Sequence, residues 1–268
     1  MTNKTYTEIY ILGAKVGELK NAFNIGCPNC GLQKICFPTG LMRADITRLD
    51  SIVERKTPLQ KGDHLYRFGE IFDSVFAIKA GVVKVYTLTN QGDEQILGFY
   101  LPGDVIGLDA LSTKQYQCNA VALDTTSVCA IPFDQLETLS MQIPALNHQL
   151  FCLMSKGVND GRVHSEILSK RNADQRVAHF IWSLSQRFMN RGYLHTEFRF
   201  NVLQRDVAMY LGLTPETVSR ILARLAKDKV VYWKRKEIQI SDLDKLRDMA
   251  GEKVHTREVE NNLNVKLG

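Results

Sequence analysis

The chain has 268 residues, with a hydrophobic fraction of 44% and a charged fraction of 24%, the composition of a globular protein with room for about two domains. No uninterrupted apolar run reaches the ~18 residues of a membrane span, and the N-terminus lacks the charged start and long apolar stretch of a secretory signal, so a cytoplasmic, reducing location without a membrane partner is the default expectation. The net charge of +5 is uneven: residues 1–170 carry 16 Lys/Arg against 17 Asp/Glu, whereas residues 171–250 carry 15 against 9, and a basic C-terminal third fits a polyanion-binding domain.

Residues 1–26 give no firm element beyond a short apolar patch at 10–12. Cys27, Cys30 and Cys36, half of the chain's six cysteines, then fall within ten residues. Pro38-Thr39-Gly40 closes that stretch. Ile46, Leu49, Ile52 and Val53 share one face of a predicted amphipathic helix over 43–55. From 57 to 133 short runs of strand character alternate with turn signals such as Lys61-Gly-Asp, Asn90-Gln-Gly-Asp and Pro102-Gly-Asp. The runs at 75–79, 82–88, 95–100, 119–123 and 127–131 predict an antiparallel β-roll or barrel.

Residues 134–170 read as helical, with Leu146, Leu150, Leu153, Met154 and Val158 recurring at three- and four-residue spacing. Pairing with a second copy would bury that stripe; packing on the chain's own barrel is the alternative. Gly157 and Gly161 weaken the helix by roughly 1 kcal/mol each relative to alanine. Asn172 caps a further helix over 173–189, and a strand follows at 198–202.

Residues 203–227 have helix-turn-helix form. Gly212 ends the first helix, Thr214 caps the second, and Pro215 occupies its first turn. Val218, Leu222 and Leu225 face inward, while Glu216, Thr217, Ser219, Arg220 and Arg224 form a polar face suited to a major groove. Arg220 can donate two hydrogen bonds to guanine, and Glu216 can accept from cytosine. Lys234, Arg235 and Lys236 form the basic turn of a hairpin wing, placed for phosphates. The tail from 251 reads as polar and frayed.

The cysteine spacing, Cys-x2-Cys-x5-Cys, suits one loop supplying three thiolates to an iron–sulfur cluster. The fourth ligand comes from Cys118, Cys129 or Cys152, and Cys129 lies on a predicted strand at the barrel's end. Zinc also takes four thiolates, and a disulfide switch is a third possibility. The sequence carries no Gly-rich phosphate loop, no His-Glu-x-x-His and no nucleophile elbow, so no enzyme is expected.

These pieces together resemble the CRP/FNR superfamily of bacterial transcription regulators, and within it the oxygen-sensing fumarate-and-nitrate-reduction branch. The matching stretches are Cys27-Pro-Asn-Cys-Gly-Leu-Gln-Lys-Ile-Cys-Phe-Pro, Asp50-Ser-Ile-Val-Glu-Arg-Lys, Gln91-Gly-Asp-Glu-Gln-Ile-Leu-Gly-Phe, Ser127-Val-Cys-Ala-Ile-Pro-Phe and Tyr210-Leu-Gly-Leu-Thr-Pro-Glu-Thr-Val-Ser-Arg. They keep the family's order over about residues 25–250. The resemblance implies an α+β fold: an N-terminal cluster-binding segment (1–40), a cyclic-nucleotide-binding-like β-roll sensor domain (41–139), a dimerisation helix (140–171), a winged helix-turn-helix domain (172–250) and a flexible tail (251–268).

It also implies Cys27, Cys30, Cys36 and Cys129 as ligands of a [4Fe-4S] cluster whose loss to oxygen loosens a DNA-binding homodimer and so controls a switch to anaerobic metabolism. Glu216, Ser219 and Arg220 resemble readers of a near-palindromic TTGAT-type site. Gly92 and Asp93 resemble a contact for RNA polymerase. The phosphate-binding arginine of the family's cyclic-AMP sensors is missing from the stretch around Gln117-Cys-Asn-Ala, so no cyclic nucleotide is expected. The chain departs from the branch at Gly157, Gly161, His164 and Ser165 of the long helix.

Overall fold

Two four-stranded antiparallel sheets build the N-terminal part of the computed structural model, which describes residues 25–252. The readings for residues 1–24 and for the tail beyond 252 lie outside the described residues. The chain forms two compact units that divide between His164 and Ser165.

In the first unit, helix α1 (Arg43–Asp50) precedes strands β1 (Glu54–Arg55), β2 (His64–Tyr66), β3 (Ser74–Ala80), β4 (Val83–Leu88), β5 (Glu94–Tyr100), β6 (Val105–Ile106), β7 (Asn119–Ala122) and β8 (Ser127–Pro132). One sheet runs β1-β8-β3-β6 and the other β2-β7-β4-β5, the β-roll expected. The longer strands match the apolar runs; β1, β2 and β6 are too short to show a periodicity. Beyond β8 the expected helix is two: α2 (Phe133–Gln142) and α3 (Pro144–Lys170). Ile143 between them is extended, with φ −123° and ψ 95°. Pro144 restricts the residue before it to that region, so the helix breaks and restarts.

The core joins both sheets, α1 and the cysteine stretch. Phe37, Leu49, Val53, Val75, Ile78, Val83, Ile106, Ile131, Leu136 and Leu146 are buried in one cluster. Tyr66 and Tyr116 stack at 4.0 Å inside the roll, and the Tyr116 hydroxyl donates to the Ser74 carbonyl at 2.6 Å. The β3–β4 turn requires Gly81: its φ is +88°, and a Cβ there would collide with Thr126 Oγ1. Side chains rarely take that conformation, and here there is no space for one.

In α3, Leu146 and Leu150 are buried, but Phe151 and Val158 are 59% and 75% exposed. The helix's first turns therefore pack on the roll, while its later apolar residues do not.

The second unit contains α4 (Ala173–Asn190), β9 (Glu197–Arg199), α5 (Gln204–Tyr210), α6 (Pro215–Lys227), β10 (Val231–Lys234), β11 (Glu237–Ile240) and α7 (Leu243–Met249). Asn172 and Gln175 form a reciprocal capping box at the start of α4, which satisfies two helix-end N–H groups. Val177, Phe180, Ile181 and Leu184 are buried in that helix, as are Val207, Leu211, Val218, Ile221, Leu222 and Leu225 in the helix-turn-helix segment. The expected strand at 198–202 is shorter, and α7 is an element that its polar sequence did not predict.

Candidate metal centre and nucleic-acid interface

The cysteine stretch is a chain of tight turns. Residues Cys27–Asn29 form a 3-10 turn, and backbone N–H groups of Gln33, Cys36 and Thr39 donate to the carbonyls of Cys30, Leu32 and Cys36. Thr39 Oγ1 donates to the Cys36 carbonyl at 2.6 Å, and Gln33 Nε2 donates to the Cys27 carbonyl. The fully buried Phe37 follows Cys36 and roots the stretch in the core. At the front, Cys27 N–H donates to Asp50 Oδ1 at 2.7 Å, and Asp50 is in turn paired with Arg55.

Cys129 sits inside β8, opposite Arg55 of β1 and Ala77 of β3. Its neighbours Val128 and Ala130 point into the core, so period-two alternation turns Cys129 to the other face of the sheet. There one cavity is lined by Cys27, Cys30, Cys36 and Cys129 together, with Leu32, Phe37, Leu49, Val53, Ala77, Ile78 and Ile131. Pro38 and two polar side chains, Gln33 and Lys79, complete the lining. The remaining cysteines lie elsewhere. Cys118 is buried, with its thiol 3.5 Å from Asp109 Oδ2. Cys152 is exposed on α3, with its sulfur 3.5 Å from His148 Nε2.

Burial pushes the Cys27 thiol up to about 12, with Asp50 adding to it. Burial also raises Cys36 and Cys129, the latter opposed by the positive charges of Lys79 and Arg55. Four soft donors around an apolar cavity fit a thiolate-bound metal group. Among the described residues, no three His, Cys, Asp or Glu side chains converge closely enough to hold a single metal ion. Asp50, Gln33, Thr39 and Lys79 were not singled out from the sequence. Lys79 had a signal there, as the one charged residue inside an otherwise apolar strand run.

In the second unit, Thr214 caps α6 by accepting from Thr217 N–H at 3.2 Å, and Gly212 takes a φ of +61° in the turn before it. Arg176 braces that turn. Its guanidinium donates to the carbonyls of Leu211 at 3.1 Å, Leu168 at 2.6 Å and Arg171 at 2.9 Å. Glu216, Ser219 and Arg220 are exposed together on α6. The backbone N–H at the helix start, the Thr214 hydroxyl and Arg220 hold the Glu216 carboxyl below its usual range. Arg224 is paired with Asp174 of α4, which sets it apart from that reading face. The β10–β11 wing pairs Lys234 with Glu237 across its turn, leaving Lys234, Arg235 and Lys236 exposed. The indole of Trp233 donates to the Arg235 carbonyl at 3.2 Å. Gly92 and Asp93 lie in the exposed β4–β5 turn, closed by Gly92 N–H donating to the Thr89 carbonyl at 2.9 Å.

Two family models match: Cyclic nucleotide-binding domain over residues 56–142 and Crp-like helix-turn-helix domain over residues 175–249. The chain is 43% identical to the fumarate and nitrate reduction regulatory protein of Escherichia coli K12 over 235 residues, 88% of this chain and 93% of that protein. It is also 43% identical to the Yersinia pestis protein of the same name over 229 residues, 85% of this chain and 92% of that one. Among solved structures, FixK2 from Bradyrhizobium japonicum is similar at a TM-score of 0.68 and 26% identity, covering 74% of this chain and 97% of that one. Among the described residues no helix is long and apolar enough to cross a membrane. With a β-roll, a winged helix-turn-helix and relatives of this identity along nearly their whole length, the chain belongs to the CRP/FNR family of DNA-binding transcription regulators and is not an enzyme.

Proposed function

We propose that this regulator is a cytoplasmic homodimer that senses oxygen through a [4Fe-4S] cluster held by Cys27, Cys30, Cys36 and Cys129, and switches genes for anaerobic metabolism. The observation that carries this is the convergence of those four cysteines, and neither of the other two, on one apolar cavity. Four thiolates with no histidine among them suit a cubane; zinc also takes four thiolates, and metal analysis separates the two.

When bound, the cluster supplies an oxygen-sensitive redox centre. Cys27, Cys30 and Cys36 tie the loop to it, and Cys129 ties in the central sheet. Residues of the loop then hold against the roll: Ile35 packs beside Gly103, and the adjoining Asp104 lies 3.8 Å from Lys156 of α3. The exposed Phe151 and Val158 of α3 face a second copy. Glu216, Ser219 and Arg220 read a near-palindromic TTGAT-type site, two recognition helices meeting successive major grooves. Gly92 and Asp93 offer the exposed turn to RNA polymerase. A cyclic nucleotide is not part of this reading, because the stretch Gln117-Cys-Asn-Ala lacks the arginine that would hold its phosphate.

Protein purified without oxygen is expected to contain iron and acid-labile sulfide, show visible charge-transfer absorption and bind a TTGAT-type palindrome. Air is expected to bleach it and weaken that binding. Cys129→Ser loses the iron, while Cys118→Ser and Cys152→Ser retain it. Zinc in place of iron, or binding indifferent to air, would sink the reading.

A further inference from the structure

The last turn of α3 and the end of α5 meet on one side chain, that of Arg176 in α4. Its Nε donates to the Arg171 carbonyl at 2.9 Å, Nη2 to the Leu168 carbonyl at 2.6 Å and Nη1 to the Leu211 carbonyl at 3.1 Å. A helix leaves its last four carbonyls without partners of its own. Leu168 is one of these in α3, and Leu211 is the C-cap residue of α5. Asn172 N–H, which would extend the ladder to Leu168, donates instead to Gln175 Oε1 at 3.1 Å. One half-buried guanidinium therefore closes two helices, with its charge at the negative end of each dipole. Arg171 adds a second hold on the same turn: it donates to the Ala250 carbonyl and pairs with Glu252 at 2.9 Å, just beyond α7.

All of these residues belong to the unit that begins at Ser165. Gly212, Leu213 and Thr214 separate Leu211 from Pro215, the first residue of α6. A Cβ on Gly212 would lie 3.6 Å from Arg176 Nη1 and 3.8 Å from Leu168 Cδ2. The turn that starts the reading helix thus lies against the end of α3, with the guanidinium fork between them. A lysine is a point charge on a flexible stem and cannot hold three carbonyls in this fixed pattern. We infer that Arg176 is a positioning residue for DNA reading: it fixes α6 against the last turn of α3, so that the base-reading face is presented at one set angle. The effect on a palindrome rests on the dimer reading above; the local hold does not.

The test compares full-length wild type, Arg176→Met and Arg176→Lys, prepared without oxygen. Amide hydrogen exchange reads the hold directly. In Arg176→Met the amides of Arg171, Gly212 and Leu213, which are hydrogen-bonded in these two helix ends, are expected to exchange about tenfold faster, the effect of losing a charge-assisted hydrogen bond on a local opening. The β10–β11 hairpin keeps its protection and reports that the domain is folded. Binding is then titrated on a TTGAT-type palindrome, on the same palindrome with a base pair added or removed between its halves, and on a single half-site. Arg176→Met is expected to lose at least about tenfold on the palindrome, since a second half-site adds affinity only where geometry lets both engage. Its half-site affinity stays near wild type, and its preference for one spacing flattens. Arg176→Lys keeps the charge without the fork and falls between the two. Wild-type exchange in Arg176→Met overturns the hold. So does equally fast exchange of the hairpin, since Arg176 would then support the whole domain. Equal losses on palindrome and half-site overturn the positioning role, and wild-type behaviour of Arg176→Lys overturns the three-carbonyl fork. A wild type indifferent to spacing would sink the dimer reading alone, and the exchange result would still decide the hold.

Discussion

Arg220 stands on α6 one turn beyond Glu216, and Glu216 is held ionised by the helix start and by Arg220 itself. The pair therefore presents a donor fork beside an acceptor, with Ser219 next to it, at the exposed N-terminal half of the helix. A bidentate contact of this kind gives about 1–3 kcal/mol of discrimination against the wrong base. Arg220→Ala is expected to reduce the preference for a TTGAT-type site over a scrambled site by roughly ten- to a hundredfold in a binding titration, with nonspecific affinity much less affected. Arg224 differs in kind. Its pairing with Asp174 makes it a brace between α6 and α4, so its loss belongs with stability and not with sequence preference. A uniform loss of affinity in Arg220→Ala, without loss of preference, would move it from base reading to phosphate contact.

At the scale of elements, the cysteine loop and the β5–β6 turn depend on each other. Gly103 has a φ of +92°, and a Cβ on it would lie 2.7 Å from Ile35 Cδ1. Gly103→Ala combines a left-handed strain of about 1–2 kcal/mol with a push against the loop. It is expected to lower the urea midpoint and to release iron faster on chelation, whereas Gly92→Ala, with no neighbour within 4 Å of its Cβ, carries only the backbone strain. Equal iron release from the two variants would separate the turn from the loop. The contrast also explains what the sequence made legible. The helix-turn-helix could be read because its signals are local: Thr214, Pro215, Gly212 and the spacing of Val218, Leu222 and Leu225 act within one or two turns. The three clustered cysteines and the candidacy of Cys129 could be read for the same reason. That Cys129 faces the loop depends on the β1-β8-β3 register, which is set by tertiary packing. The contact of Ile35 with Gly103, and the hold of Lys79 on the Ile25 carbonyl, span many residues and leave no periodic trace. The break at Ile143 was written in Pro144, but the apolar spacing on either side hid it.

For the molecule as a whole, the proposed function puts the cysteine cavity in one unit and the helix-turn-helix in the other, and assembly of two copies is the coupling it calls on. A single recognition helix covers one half-site, and a near-palindrome takes two. The part of α3 from Phe151 to Val158 is where the assembly reading is most exposed to test. Val158 is 75% exposed in the protomer, so Val158→Asp removes no packing from the roll. In a dimer that buries this stripe, the change removes a valine contact worth ~1.5–3 kcal/mol and also buries a carboxylate. The expected result is a dimer dissociation constant raised by at least about tenfold, measured by sedimentation of the iron-loaded protein. Binding to a palindrome falls in step, and iron content and visible absorption stay those of wild type. Gly157 and Gly161 give the control from the same helix, because alanine at either meets nothing within 4 Å among the described residues. Alanine there should gain roughly 1 kcal/mol of helix stability if the glycines lie off the interface. If their role is to let two helices approach closely, the same substitutions weaken the dimer instead. Val158→Asp that dimerises and binds DNA normally would place the interface elsewhere, and the link from cluster to DNA would then need a route other than α3.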